Sequence, residues 1–322
     1  MTTRIVTHSG SFHADDVFGV AVLAALHPDH EIVRTRDAKL IAQGDFAVDV
    51  GGEWDAARGR FDHHQRGFDG ARPGAEGYAS AGLVWREFGT AYAEQVARSM
   101  NATLDASAAS RIAADVDASL VRYLDLVDTG SAMVAPGAFG ISSQVGALNS
   151  TWLEEHGLDG AGKARLQLER FQEAMAIMGR FLQRLVQRRI GQELAADLVR
   201  NAERLLDGRV LFLAEGGMPW TSVVVQEMPE VLLVLYPETD ETVQRHVLRT
   251  VPVEAGSFDA RMDLPAAWAG LRDAELAAVT GVPDALFCHT NLFIGVARSR
   301  EGALRLAALA LAESGARPQA TT

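Results

Sequence analysis

Apolar and polar residues near the start of the chain follow a pattern that predicts strands separated by helices. Three short runs rich in β-branched and apolar residues, RIVT (4–7), EIVRT (31–35) and DFAVDV (45–50), are typical of strands. Residues 15–26 instead repeat apolar side chains at helical spacing, and a short helix is expected before the third strand. This order predicts βαβ units in a parallel sheet, in which ligands bind beyond the carboxyl ends of the strands.

The centre of the chain is predicted to be mostly helical. Apolar residues recur at helical spacing at 80–98, 108–128 and 163–206. Residues 130–150 are rich in Gly, Ser and Pro, and this composition predicts a loop.

Runs of strand-like composition return after Gly208 and predict a second α/β region. They are RVLFLA (209–214), TSVVVQ (221–226), VLLVLY (231–236) and HVLRTV (246–251), followed by a helix at 301–312. We therefore predict an α/β protein with a first, parallel-sheet domain at 1–150, a helical connector at 151–204 and a smaller C-terminal α/β domain at 205–322.

Composition limits the classes of function. With 322 residues, of which 48% are apolar, the chain can bury the cores of about two domains. Its one cysteine, Cys288, excludes an internal disulfide and a Cys-rich zinc site, so histidines and carboxylates must provide any metal ligands. The net charge of −12 disfavours non-specific binding to duplex nucleic acid. A small anion or a short single strand is still a possible substrate. The longest apolar run, 17–26, is too short to cross a bilayer, so we expect a cytoplasmic protein without membrane attachment.

Histidines and aspartates cluster in THSGSFHADD (7–16), at the end of the first predicted strand. His8 ends that strand, and His13 and Asp15 lie where the following helix begins. Imidazole nitrogen and carboxylate oxygen together suit Mn²⁺ and similar divalent ions. The alternative is that the acidic residues only cap the helix, where negative charge is favourable.

A second acidic residue, Asp49, lies inside the apolar third strand and is followed by two glycines. A buried carboxylate is costly unless it is paired, hydrogen-bonded or bound to a metal ion. We favour a ligand that bridges two metal ions over a carboxylate that is held only by backbone amides.

Two adjacent histidines follow an aspartate at Asp62-His63-His64. Because neighbouring side chains point in different directions, one ring can bind a metal ion while the other faces the substrate, and Asp62 can orient a ring by accepting its N–H. A surface turn that happens to be rich in histidine is the alternative.

The order of these clusters resembles that of the motifs in the DHH phosphoesterase superfamily. Further blocks extend the similarity over residues 4 to about 312, nearly the whole chain. Together they look like the melanocyte proliferating gene family, the Myg-one type of DHH protein, and include EIVRTRD, VDVGGEWD, RFDHHQRGF, LLVLYPE, FCHTNLFIG and SREGALRLA.

This resemblance implies a two-domain phosphoesterase that uses two divalent ions, with Mn²⁺ preferred and Mg²⁺ as the alternative. By matching motifs, the metal ligands would be His8, His13, Asp15, Asp49, His63 and Asp128. The fourth motif of the superfamily is an aspartate near a helix end, which we place at Asp128; Asp125, one helical turn earlier, is the competing ligand. Paired ions activate water for attack on phosphorus, and His64, with Asp62 beside it, would take a catalytic role such as protonating the leaving oxygen.

The resemblance also implies a substrate, a short single-stranded RNA or another small phosphodiester cut from 3′ to 5′. Its remaining phosphates would be bound by Arg36, Arg261, His289 and Arg298, although surface ion pairs explain each arginine equally well. The alternatives are a small-molecule phosphatase or pyrophosphatase with the same metals, and a metal-loaded binding protein without turnover. Stacking aromatic side chains near the site, from among Trp54, Phe68, Trp220 and Trp268, would favour the nuclease, and a homodimer is also expected.

Overall fold

Two compact units make up the computed structural model of the protein. The model describes residues 2–74, 76–133, 135–240 and 243–315. The units divide between Ile190 and Gly191, inside one long helix. The segment predicted as a connector, 151–204, therefore contributes to both units. Within the described ranges, no helix is both long and apolar enough to cross a membrane.

The first unit is a five-stranded sheet with helices packed against it. Its strands are β1 (Thr3–Thr7), β2 (His30–Arg34), β3 (Phe46–Val48), β4 (Trp54–Asp55) and β5 (Arg60–Phe61). Its helices are α1 (Ala14–Leu26), α2 (Ala38–Ala42), α3 (Ser80–Ser99), α4 (Ala106–Val116), α5 (Arg122–Asp128), α6 (Ile141–Gly146), α7 (Trp152–Glu155) and most of α8 (Gly160–Arg200). A π-helical turn at Asp117–Val121 joins α4 to α5.

Register decides where the loops of this sheet emerge. The strand order is β2-β1-β3-β5-β4, and every neighbouring pair is parallel except β5 and β4. Thr7 pairs with Val48, and Val48 pairs with Phe61, so β1, β3 and β5 end side by side. The residues that follow these three strands therefore meet at one edge, and the predicted α/β class with a parallel sheet is confirmed.

Helix α1 is apolar on almost every face because it is covered from two sides. It packs on β3 and on α3 in the main core of the unit. A side chain at Gly19 would come within 2.8 Å of Val48 and 3.3 Å of Val84. The helix thus lies close to the sheet, and its N-terminal turn is held at the edge where the strands end.

The second unit contains a six-stranded, mostly antiparallel sheet in the order β10-β11-β9-β8-β7-β6. Its strands are β6 (Glu203–Leu205), β7 (Val210–Phe212), β8 (Leu233–Asp240), β9 (Val243–Thr250), β10 (Ala285–Cys288) and β11 (Ile294–Ala297). Its helices are the end of α8, then α9 (Thr221–Glu227), α10 (Asp273–Thr280) and α11 (Arg300–Gly315). Only β7 and β8 run parallel.

Three segments differ from the prediction. Residues 221–226 form helix α9 rather than a strand, because Val223 and Val224 pack into an apolar cluster with Leu211 and Leu213 and this tertiary packing overrides the β-propensity of valine. The segment predicted as a loop at 130–150 contains α6, and the predicted helix at 163–206 ends at Arg200 before β6. Strands β4, β5, β10 and β11 and helices α7 and α10 were missed.

A buried ion pair anchors α5 beneath the sheet edge. The Asp125 carboxylate lies 2.6 Å from the Arg72 guanidinium and accepts a hydrogen bond from the Gly82 amide. Arg72 also donates two hydrogen bonds to Asp117 in the π-helical turn. Only glycine fits at position 82, because an added side chain would lie 2.0 Å from the Asp125 carboxylate.

Replacing Arg72 with Met should destabilise the first unit, because Asp125 would stay buried without its cation. Removing one partner of a buried pair costs up to about 3–5 kcal/mol of unfolding free energy, and the cost should be largest above the Asp125 pKa of about 7, where the carboxylate is ionised. Urea unfolding monitored by circular dichroism measures the loss. The matched control is Arg122→Met, which breaks an exposed pair with Glu76 and should change the midpoint far less. If both variants lower the urea midpoint equally, the Arg72–Asp125 pair does not have the special stabilising role assigned to it.

Candidate metal centre

Three neighbouring parallel strands each deliver a potential ligand to the same edge of the sheet. His8 follows β1, Asp49 follows β3, and His63 lies two residues after β5. All three side chains are largely buried. The segments that follow β1, β3 and β5 therefore meet at the carboxyl ends of the parallel strands, where α/β proteins commonly bind ligands.

Asp49 is the centre of this arrangement. Its Oδ2 lies 3.4 Å from Nε2 of His8, and its Oδ1 lies 3.4 Å from Nε2 of His63 and 3.2 Å from Nδ1 of His64. Ser80 at the start of α3 donates a hydrogen bond to Oδ1. The backbone of Asp49 is left-handed, with φ of 56°, a conformation that aspartate tolerates better than most residues.

Two helix ends complete the arrangement. Asp15 lies in the first turn of α1, and Asp128 is the last residue of α5. One Asp128 oxygen is 3.2 Å from Nε2 of His63, and the other is 3.8 Å from Nδ1 of His13. An acidic residue at a helix C-terminus is unfavourable without a nearby positive charge. The geometry of Asp128 therefore calls for a cation.

The donor atoms fit a divalent cation. Each of three sets of side chains places one donor atom per residue within 4.8 Å of the others in its set: His8, His13 and Asp49; Asp49, His63 and His64; and His13, Asp15 and Asp128. Both carboxylate oxygens of Asp15 are buried and make no hydrogen bond within the described residues, and Nε2 of His8 and of His63 face carboxylates at 3.2–3.4 Å without hydrogen-bond geometry. Buried polar atoms normally find a partner. A metal ion would satisfy them, and mixed nitrogen and oxygen donors suit divalent ions such as Mn²⁺.

The charges at this edge of the sheet are strongly coupled. Burial raises the pKa of Asp15 well above its usual range, and the negative charges of Asp49, Asp128 and Asp16 raise it further. Burial also acts against ionisation of Asp49, but its contacts with His63, His64 and His8 outweigh burial and lower its pKa.

The two adjacent histidines carry the compensating positive charge. Burial opposes protonation of His63, but close contacts with Asp128 and Asp49 prevail and raise its pKa to about 10. Contact with Asp49 is the largest effect on His64, and together with Asp62 it raises the His64 pKa to about 9 against partial burial. At neutral pH both rings are therefore protonated in the metal-free protein.

Asp62 holds His64 in place rather than joining the donor sets. Its Oδ1 accepts hydrogen bonds from both the backbone amide and Nδ1 of His64, and its Oδ2 accepts one from the Gly52 amide. The His64 side chain remains 62% exposed. Nδ1 is thus fixed toward the acidic residues while the opposite edge of the ring faces outward.

Asp125 and Asp128 have different environments although they are one helical turn apart. Asp125 is fully buried and paired with Arg72, and burial raises its pKa to about 7 against the effect of that pair. Asp128 instead lies among His13, Asp15 and His63. The geometry therefore favours Asp128 over Asp125 as a metal donor.

Further residues at this edge were not assigned from sequence as parts of the site. Asp16 completes a capping box at the start of α1, and its second oxygen lies 3.2 Å from Nε2 of His8. The proposed helix cap is therefore real for Asp16, while Asp15 belongs to the donor sets. Ser80 was also missed, because a serine at a helix start is usually a cap. Arg36, by contrast, was a substrate-binding candidate from the sequence; it is exposed and lies 3.3 Å from Nδ1 of His8, beside the donor sets.

The three substrate-binding candidates of the second unit differ in their surroundings. The Arg261 guanidinium donates to the carbonyls of Val224, Val225, Met228 and Val231, so it caps α9 and the turn after it. This structural role corrects the prediction for Arg261, since nearly all its donors are used. His289 accepts a hydrogen bond from the Asn291 amide and packs on Phe293, while Arg298 is exposed.

Comparison with known proteins identifies the family to which this chain is similar. Residues 4–311 match the model MYG1_exonuc, described as an uncharacterised protein family (UPF0160). The chain is 34% identical to a protein named MYG1 exonuclease from Homo sapiens, over 98% of this chain and 88% of that protein. It is 32% identical to the MYG1 protein C27H6.8 of Caenorhabditis elegans, over 97% and 96% of the two chains. A solved pGpG-specific phosphodiesterase, PggH, overlaps at 16% identity with a TM-score of 0.30, too weakly to bear on fold or function.

Metal affinity should rise with pH, because His63, with its pKa of about 10, must lose a proton before its ring can bind an ion. The apparent affinity should increase about tenfold per pH unit for each proton released, from about pH 6 to about pH 8. Calorimetric titration of chelator-treated protein with Mn²⁺, in buffers of different ionisation enthalpy, counts the protons. His63→Gln should release fewer, whereas the exposed His156→Ala should match the wild type. If the affinity for Mn²⁺ does not change with pH, His63 does not lose a proton when the ion binds.

Proposed function

The chain belongs to the MYG1_exonuc family, and from this premise we propose that it is a metal-dependent phosphodiesterase that shortens single-stranded RNA from the 3′ end. The observation that carries the proposal is the buried Asp15 carboxylate, which has no hydrogen bond within the described residues and lies close to Asp49, Asp128 and His13. The names of the relatives support an exonuclease. The RNA substrate and the 3′-to-5′ direction rest on the resemblance of the sequence motifs.

The donor sets suggest how two divalent ions would be held, with Mn²⁺ as the preferred ion and Mg²⁺ as the alternative. One donor set would hold an ion through His8, His13 and Asp49. By the resemblance of the motifs, Asp15, His63 and Asp128 would hold the other, with Asp49 shared between the two. When bound, such ions lower the pKa of a coordinated water and offset the negative charge that develops on the phosphate oxygens.

The protein's own side chains would position the substrate and move the proton. The His64 ring is held at Nδ1 by Asp62 and is 62% exposed, so its outer edge can donate a proton to the leaving oxygen. Asp62 keeps its ring oriented. Arg36, beside His8, is placed to bind a non-bridging phosphate oxygen. We retain His289 and Arg298 as candidates for binding the rest of the substrate, and the expected homodimer stays a prediction.

Hydrolysis of a short RNA by purified protein with Mn²⁺ tests the function directly. RNA labelled at its 5′ end should give a ladder of successively shorter products, and Asp49→Asn and His63→Ala should each lower the rate by more than about 10²-fold, because both would disrupt metal binding. Exposed residues supply matched controls, Asp69→Asn and His156→Ala, which should retain activity.

The same assay separates the alternatives. Activity confined to pyrophosphate or a phosphorylated metabolite would favour the phosphatase. If wild type and variants behave alike on every compound, the hydrolase proposal fails and a binding protein becomes the better explanation.

Replacing His64 with Gln should lower kcat on RNA by about 10²–10⁴-fold, the usual contribution of a general acid. The loss should be much smaller on a p-nitrophenyl nucleotide ester, whose leaving group departs without protonation. Asp62→Asn should show the same dependence on leaving group, since Asp62 acts through His64. The double variant should therefore be little worse than His64→Gln alone. An equal loss on both substrates would show that His64 is not the proton donor.

A further inference from the structure

An apolar cavity of about 490 Å³ lies beside the donor sets in the first unit. Its walls come from the π-helical turn, the outer face of α5, the loop before α6, and the start of α6. The lining includes Leu120, Tyr123, Val127, Met133 and Ile141. Along the same helices a second cleft, which contains His13, Asp15 and Asp128, shares Val127, Ser142 and Ser143 with the cavity. The two spaces therefore adjoin each other, with these three residues lining both.

The lining chemistry indicates a neutral, flat occupant. The described residues that line the cavity include no charged side chain, and their polar groups are the hydroxyls of Ser119, Tyr123, Ser142 and Ser143. Met133 is 89% exposed and Tyr123 is 40% exposed. Large apolar side chains left open next to a polar centre are typical of ligand-binding surfaces. A phosphate would find no cation in this cavity.

Distance along α5 fits a nucleotide. Tyr123 precedes Asp128 by five residues, which is about 7.5 Å along a helix that rises 1.5 Å per residue. This axial rise is comparable to the span of a sugar between a phosphate near Asp128 and a base next to Tyr123. Around the helix the two residues lie about 140° apart, and Val127, which lines both spaces, lies between them. The π-helical turn that carries Ser119 and Leu120 is a rare feature, and such turns occur frequently at functional sites.

We propose that this cavity receives an unpaired nucleobase of the substrate, next to the scissile phosphodiester, with Tyr123 as the side chain on which the base rests. The inference deepens the proposed function and rests on it. Stacking on an aromatic ring tolerates any base, so the cavity selects single strands rather than a sequence. A base held in a duplex could not enter, because its faces are already stacked.

Tyr123 was not among the aromatic side chains considered from sequence. Trp220 and Trp268 are buried in the second unit. Trp54 and Phe68 pack edge-to-face on each other, with ring centres 5.7 Å apart. Phe68 also packs edge-to-face on His63, with ring centres 6.3 Å apart. Tyr123 differs because it lines the apolar cavity that adjoins the cleft with His13, Asp15 and Asp128.

Equilibrium binding without turnover tests this inference. Calorimetry of the full chain with Ca²⁺ would compare adenosine 5′-monophosphate with ribose 5-phosphate, which has the same phosphate and sugar but no base. We expect the wild type to bind the nucleotide at least about tenfold more tightly, in line with the usual strength of base stacking on an aromatic side chain. Tyr123→Ala should lose this preference, and Tyr123→Phe should keep it. Trp152→Ala, which removes an aromatic side chain 76% exposed and outside the cavity lining, is the matched control and should keep it too.

The outcomes distinguish failure of the proposed base-binding cavity from failure of the proposed function. Equal affinity for the two ligands in the wild type, or a preference that survives in Tyr123→Ala, would overturn the base-binding cavity while leaving the phosphodiesterase proposal intact. If neither ligand binds, the base-binding cavity is overturned as well, and the hydrolysis assay decides the proposed function separately. Loss of the preference in Trp152→Ala as well would also count against a specific role for Tyr123.

Discussion

Repulsion among buried carboxylates is the constraint on which the site depends. Asp15, Asp16, Asp49 and Asp128 lie close together at the end of the sheet, where burial weakens the screening of their charges. Carboxylates this close together can all stay ionised only if positive charges lie between them. In the metal-free protein the adjacent histidines provide it, and the high pKa of His63 measures how strongly it is needed. Divalent ions would provide the same charge while leaving every carboxylate ionised.

The fold supplies the rigidity that this charge arrangement requires. Parallel strands β1, β3 and β5 end side by side, and α1 is packed between the sheet and α3, so the ligands on their ends have little freedom. Beneath α5, the buried pair of Arg72 with Asp125 fixes the helix that presents Asp128. The same helix carries Tyr123 on its outer face, so one element links the polar centre to the apolar cavity.

Sequence reasoning predicted the first half of the fold better than the second. The order of β1, α1, β2, α2 and β3 followed from periodicity, because each element is covered by neighbours in a regular βαβ arrangement. The valine-rich segment at 221–226 has the composition of a strand, yet contacts with distant residues and with the Arg261 guanidinium make it a helix. Short strands β10 and β11 carry too few residues for a distinct pattern.

By itself, the sequence determined the chemical identity of the site: histidines and aspartates after successive strands, in an order that resembles one family. It could not choose between Asp125 and Asp128, since both lie on one helix and only the position of Arg72 separates their roles. Nor could it place Tyr123, whose importance arises from a cavity formed by segments that fold together. Local sequence patterns indicate which side chains are available to form a site. The distances between residues far apart in the chain are set only when the core packs.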